Sequence, residues 1–221
     1  MRSSKKKLRV KYKNTMAQIA MIAGLGVVCL SSSVGAALMM GGGEEDDGAG
    51  GLGGAGVGPS APVVEKYRYV KIIRDKPAMG AAGIPGLGNH HLNLMEAKVM
   101  SGGENIAFQK NTTSSSTHAG LSGGRLVDGD MTTMAHTEDA DVEWFLIDLG
   151  AEYEIDQVEI YNRTDPGGSF ARTRGVQIKI SKNADMSDSV DSGFIQVSQI
   201  AFDKPKLTWT PKDGPGFVAS A

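Results

Sequence analysis

The side chains best suited to chemistry in this sequence are four histidines, two acid-rich turns and a short basic loop. The histidines are His90, His91, His118 and His136. None lies in a His-Glu-x-x-His helix or a nucleophile elbow, and no glycine loop opens a phosphate-binding helix. His90-His91 could offer imidazole to a metal, although adjacent loop histidines are ordinarily plain surface. The single cysteine, Cys29, excludes an intrachain disulfide framework and cysteine-based zinc or iron–sulfur sites. No enzyme is expected. Asp128-Gly129-Asp130 has the composition of a tight turn. Arg163-Thr164-Asp165 offers a guanidinium beside a carboxylate, with Arg172 and Arg174 close behind. On their own these are a turn and a loop ion pair.

Charge sets the wider frame. The chain has 221 residues and a formal charge of −2. Residues 1–15 hold seven bases and no acid, residues 16–40 hold no charge at all, and from residue 16 onward 16 bases face 25 acids. An acidic body of this kind is not a nucleic-acid binder. The uncharged 25 residues of 16–40 are long enough to span a bilayer. Basic residues before them and Glu44-Glu45-Asp46-Asp47 after them predict a cytoplasmic N-terminus and a translocated C-terminus. Cleavage near Val34-Gly35-Ala36, giving a secreted protein, is the alternative. Residues 41–62, with ten glycines between 41 and 60, read as a flexible acidic linker. The organisation expected is therefore 1–15 basic segment, 16–40 anchor, 41–62 linker and 63–221 folded domain.

The domain reads as all-β. Strand patterns are expected at 67–73, 92–99, 144–150, 155–161, 176–180, 194–197 and 207–209, separated by Gly, Asn, Asp, Ser and Pro. Many short strands imply a sandwich or barrel. Residues 74–91 are expected to form an exposed, mobile loop. Trp144 and Trp209 are expected in the core. Asn111-Thr112-Thr113 and Asn162-Arg163-Thr164 are glycosylation sequons.

Several blocks between 104 and 181 occur in a telling order: Asn105-Ile106-Ala107-Phe108-Gln109-Lys110, Thr112 to Thr117, Val127-Asp128-Gly129, Trp144 to Gly150, and Ile160-Tyr161-Asn162-Arg163. This order resembles the discoidin or coagulation-factor type C domains, of galactose-binding-like, jelly-roll fold. Within that group it is most similar to the fucose-binding F-type lectins, whose signature places a His 26 residues before Arg-x-Asp. Here 26 residues separate His136 from Arg163, and Asp165 completes the triplet. The resemblance implies sugar contacts from His136, Arg163 and Arg172, with Asp165 holding Arg163, and Arg174 as the alternative to Arg172. Such groups can donate to vicinal hydroxyls in fixed directions. Phe170 is the candidate ring for packing beneath a C6 methyl group. Pro166-Gly167 stand where the family often has two cysteines, so specificity for fucose does not carry over.

In relatives, strands similar to Tyr69-Val70-Lys71-Ile72 and to 92–99 come last; here they come first, so the domain looks circularly permuted. The permuted resemblance implies a structural Ca²⁺ held by Met95, Glu96, Arg125, Asp128, Asp130 and Thr133. Oxygen donors of this kind suit that ion. The implied protein is a membrane-anchored lectin-like module facing the non-cytoplasmic side of a cell or virion membrane. Its partner would be a glycan, and a homo-oligomeric array would be a natural setting. The alternative is a structural virion or envelope protein using the sandwich for protein contacts around a vestigial sugar site, since the permuted order and missing disulfides are similar to membrane proteins of large DNA viruses.

Overall fold

The computed structural model describes residues 64–85, 91–164, 169–200 and 203–221. The chain divides into two units, Met1–Gly56 and Val57–Ala221, and every described residue belongs to the second. The expected anchor at 16–40, the basic segment and the linker at 41–62 all lie outside the described residues. Among the described residues no helix is long and apolar enough to cross a membrane.

Among the described residues eleven strands form two antiparallel sheets. They are β1 (Tyr67–Asp75), β2 (Asn93–Ser101), β3 (Glu104–Asn105), β4 (Asn111–Ser114), β5 (Ala135–His136), β6 (Val142–Tyr153), β7 (Gln157–Asn162), β8 (Val176–Ser181), β9 (Val190–Asp191), β10 (Lys206–Trp209) and β11 (Val218–Ser220). One sheet runs β4-β6-β1-β8-β9; the other runs β11-β10-β7-β2-β3, with β5 added to the start of β2. The period-two pattern explains the layers. Val70 and Ile72 of β1, Phe145, Ile147 and Leu149 of β6, and Val176, Ile178 and Ile180 of β8 all point inward and are buried. Ala97, Val99, Val158, Ile160, Leu207 and Trp209 complete the core from the second sheet.

β2 changes phase within itself. Leu94 is buried, as are Ala97 and Val99, so the buried apolar set moves from even to odd numbers. A bulge between Leu94 and Glu96 makes the switch, with Met95 as the extra residue. Beyond the bulge Glu96 pairs with Tyr161 on the outer face, and Lys98 pairs with Glu159.

Three expectations need correction. Residues 74–91 are not one long loop: β1 runs on to Asp75, whose side chain caps a short helix, α1 (Lys76–Ala81), with Pro77 in its first turn and Met79 buried. Residues 194–197 are not a strand. Ile195 is buried and donates its N–H to Val176, but the chain then turns into a 3-10 segment at Val197–Gln199. Trp144 is not in the core. It falls out of phase with Phe145, and its outward ring carries the Lys71 ammonium 4.8 Å from its centroid. Trp209 is fully buried, its indole N–H donating to the Gly214 carbonyl at 2.9 Å.

Candidate functional site

One end of the second sheet collects His91, His118 and His136 beside Arg163 and Arg172. Two pairings build it. Asn93 at the start of β2 is opposite His136 of β5, and Leu94 is opposite both Ala135 and Asn162. The end of β7, the start of β2 and β5 therefore lie side by side. Arg163 follows directly on Asn162, at the same edge, and is partly buried. Asp165 lies outside the described residues.

His136 is 6 % exposed. Its Nδ1 sits 2.7 Å from the Thr137 carbonyl, so that nitrogen carries the proton and donates it. Its Nε2 then accepts from Asn93 Nδ2 at 3.2 Å and faces Arg172 Nη1 at 3.5 Å. Burial pushes its pKa below the usual range, and His91, His118 and Arg172 add to that direction. His136 is thus a neutral imidazole in one tautomer.

Arg172 rides on a 3-10 segment, Ser169–Thr173, pinned from below. The buried Asn162 amide donates to the Phe170 carbonyl at 2.7 Å and to Thr173 Oγ1 at 3.1 Å, and the Thr173 hydroxyl donates to the same carbonyl. This commits the nitrogen a glycan would need, so the sequon at Asn162 is closed in the folded domain. Asn111 is exposed on the edge strand β4. The structure brings His136 and Arg172 together; Phe170 contributes its carbonyl to the scaffold.

Sequence reasoning missed Arg74. It is 2 % exposed, its Nη1 donates to the His91 carbonyl at 2.5 Å, and its Nε and Nη2 are buried with no hydrogen-bond partner among the described residues. Burial lowers its pKa to about 10, and the charges of Arg172 and Arg174 push the same way against Asp139. The signal was a lone arginine at an inward-reading position near the end of a strand.

A second site lies farther along β2. Glu96 points to the outer face yet is fully buried, because the turn at 128–130 covers it. Its Oε2 accepts from the Gly129 N–H at 3.3 Å, while its Oε1 is buried with no hydrogen-bond partner among the described residues. Burial raises its pKa to about 7, and Asp128 and Asp130 reinforce the rise. The turn needs Gly129: its φ is +80°, and a Cβ there would stand 2.9 Å from the Phe108 ring. Asp128 accepts from the Asp130 N–H and, through its other oxygen, from the Thr133 hydroxyl. Asp130 takes bonds from Thr132 at its side chain and from Thr133 at its carbonyl. Arg125 lies in the 3-10 segment Gly123–Val127 leading into the turn, and Met95 is the bulge residue beside Glu96. An orphaned buried carboxylate oxygen among two further acids fits a hard cation. Asp130 is the weaker part of that fit, since its side chain is turned to Thr132.

Residues 125–208 match the family model described as F5/F8 type C, NedA-like, galactose-binding domain. The two antiparallel sheets agree with the discoidin-like sandwich that this family implies. β1 and β2 precede the matched stretch in sequence, yet each sits inside its sheet, flanked on both sides. Neither curated proteins nor solved structures yield a match.

Proposed function

We propose that this protein is a membrane-anchored carbohydrate-binding module whose galactose-binding-like domain holds a sugar at the β2–β5–β7 end of the second sheet. The observation that carries the reading is the His136–Arg172 pair, at 3.5 Å, at the sheet end where Arg163 leaves β7. A neutral imidazole beside a guanidinium suits hydroxyl and ring-oxygen recognition, because both groups sit in directions fixed by the fold. Arg163 and Arg172 would contact the sugar, with Asp165 orienting Arg163. His136 would act mainly through Arg172, since its own nitrogens face Thr137, Asn93 and that arginine. No proton transfer is assigned to it, and the module binds rather than catalyses. Fucosylated glycans are the first class to test, with galactosides beside them.

The circular permutation is part of the same reading, supported by the inner places of β1 and β2. So is a structural Ca²⁺. Glu96 and Asp128 would supply carboxylate oxygens, with carbonyl oxygens from Met95, Arg125, Asp130 and Thr133; the ion would neutralise the buried Glu96 charge. Residues 16–40 would hold the domain on the non-cytoplasmic side, where many copies in one membrane add their modest affinities.

A glycan array probed with the full chain in detergent, beside Arg163→Ala, tests the reading. Selective binding by the parent and its loss in the variant are expected. Binding to no glycan, or the same pattern from both proteins, would sink it in favour of a protein-contact role.

A further inference from the structure

Three of the four histidines form a cluster, and two of them, His91 and His118, have no part in the sugar and calcium readings. His91, His118 and His136 have ring centroids 5.3, 4.9 and 4.7 Å apart. Beside them, His118 Nδ1 lies 3.0 Å from Glu138 Oε2. We propose that His91, His118 and Glu138 form a binding site for a divalent transition metal of the zinc class.

Geometry comes first. One ligand atom from each of His91, His118 and Glu138 lies within 4.8 Å of the other two, a spread that a single ion can bridge. Two imidazoles and a carboxylate are a three-ligand set that zinc accepts with solvent in the fourth position. The mixed nitrogen and oxygen donors favour zinc and its neighbours over calcium. His91 is also held as metal-binding histidines are: its Nδ1 sits 3.0 Å from the Thr137 carbonyl, which leaves the lone pair on Nε2.

The carriers are fixed in place. His118 donates its backbone N–H to the His136 carbonyl at 2.9 Å, on a turn where Ala119 and Gly120 take φ of 49° and 74°. Glu138 donates its N–H to Ser116 Oγ at 2.8 Å. His91 lies beside Leu92, whose carbonyl accepts from the Thr137 N–H and whose N–H donates to the Thr137 hydroxyl. His136 takes no part as a ligand, since Thr137, Asn93 and Arg172 face its two nitrogens. The side chains of His118 and Glu138 are 44 % and 53 % exposed, so an ion can reach them from solvent.

The site can be tested with the metal alone. The full chain, stripped with a chelator, is titrated with Zn²⁺ in competition with a chromophoric chelator, and with Co²⁺ read by its visible absorption. One equivalent should bind, Co²⁺ should give the intense bands of a four-coordinate ion, and excess Ca²⁺ should not displace either. His118→Gln and Glu138→Gln should each weaken Zn²⁺ binding about tenfold or more. Both side chains are exposed, so metal-free melting should match the parent and show that the variants fold. Absence of saturable binding, or unchanged affinity in either variant, overturns the proposal.

Discussion

Two stretches of β2 hold like charges in opposite ways. Around its start, Arg74 is buried near Arg172 and Arg174, and His136 is kept neutral. Past the bulge, Glu96 is buried near Asp128 and Asp130. In both places burial moves the pKa toward the uncharged form and like neighbours push further the same way. The compensation differs. His136 has both nitrogens engaged and Arg74 has one nitrogen bonded, with Asp139 as counter-charge. Glu96 has one weak backbone donor, and its other oxygen is buried with no hydrogen-bond partner among the described residues. The basic end is satisfied at His136, while Arg74, Asn93 and Asn162 keep buried polar atoms with no hydrogen-bond partner among the described residues, and Arg172 lies at its edge. At the acidic site the bare carboxylate oxygen is the atom that the proposed Ca²⁺ would meet. On the proposed reading, a sugar would meet the first arrangement and a Ca²⁺ ion the second.

The largest test of that contrast is pH. The folded-state pKa of Glu96, about 7, lies above the usual 4.5. Native protein therefore binds more protons than unfolded chain between those values, and stability falls as pH rises through them. In chelator buffer this amounts to something on the order of 3 kcal/mol between pH 4.5 and 8. His136, held below 6.5, has the opposite sign: its contribution is present above 6.5 and is lost as pH falls. Denaturation midpoints of the full chain should show the Glu96 slope without calcium, lose it in Glu96→Gln, and lose it again when millimolar Ca²⁺ is added to the parent. Equal slopes in parent and variant would mean that Glu96 is not the strained group, and a chelator-insensitive midpoint would remove the ion.

The basic end breaks differently. Asn162→Ala removes two buried hydrogen bonds that hold the segment bearing Arg172, and should cost about 2 kcal/mol. Glycan binding should fall with it, although Asn162 itself touches no sugar. Retained binding at full strength would place recognition away from Arg172.

These two sites were unequally legible. The alternation in 67–73, 144–150 and 176–180 places β1, β6 and β8, because each has one face in a continuous core. The same alternation also marks Trp144 as outward: Phe145, Ile147 and Leu149 set the inward phase, and the tryptophan does not share it. Residue type misleads there where period would not. In β2 the apolar residues Leu94, Ala97 and Val99 require a phase change, so the bulge at Met95 has a sequence signature. What covers Glu96 leaves no mark in the alternation: only the permuted resemblance set Glu96 beside Asp128 and Asp130, because the turn at 128–130 reaches it by tertiary packing. His91, His118 and Glu138 are distant in sequence and meet only through the β2–β5 pairing and the turn at Ala119-Gly120. At 194–197 the buried Ile195 reads as strand, but its N–H bonds Val176 and the next turn closes at Gln199, so a buried apolar residue there serves a loop.

A smaller effect sharpens the acidic side. Gly129→Ala puts a side chain at φ +80° and against Phe108, which is 49 % exposed and can yield. The strain is about 1 kcal/mol. Because the Gly129 N–H is the one hydrogen-bond donor to Glu96 among the described residues, the variant should also lower calcium affinity, measured by titration of the chelated full chain. A purely local melting shift with unchanged affinity would separate the turn from the ion.

The smallest effect on stability belongs to Arg172→Ala. Its guanidinium sits at the edge of the site, so melting in metal-free buffer should move by less than about 0.5 kcal/mol. Its loss should still be visible at His136. Burial is the leading cause of that residue's lowered pKa, and Arg172 is a lesser one acting in the same direction. Removing the arginine should therefore raise the His136 pKa while leaving it below 6.5, as an NMR titration of the ring protons can read. A pKa above 6.5 in the variant would mean that charge, not burial, keeps this imidazole neutral, and the basic end would then be held by the same like-charge tension as the site under Glu96.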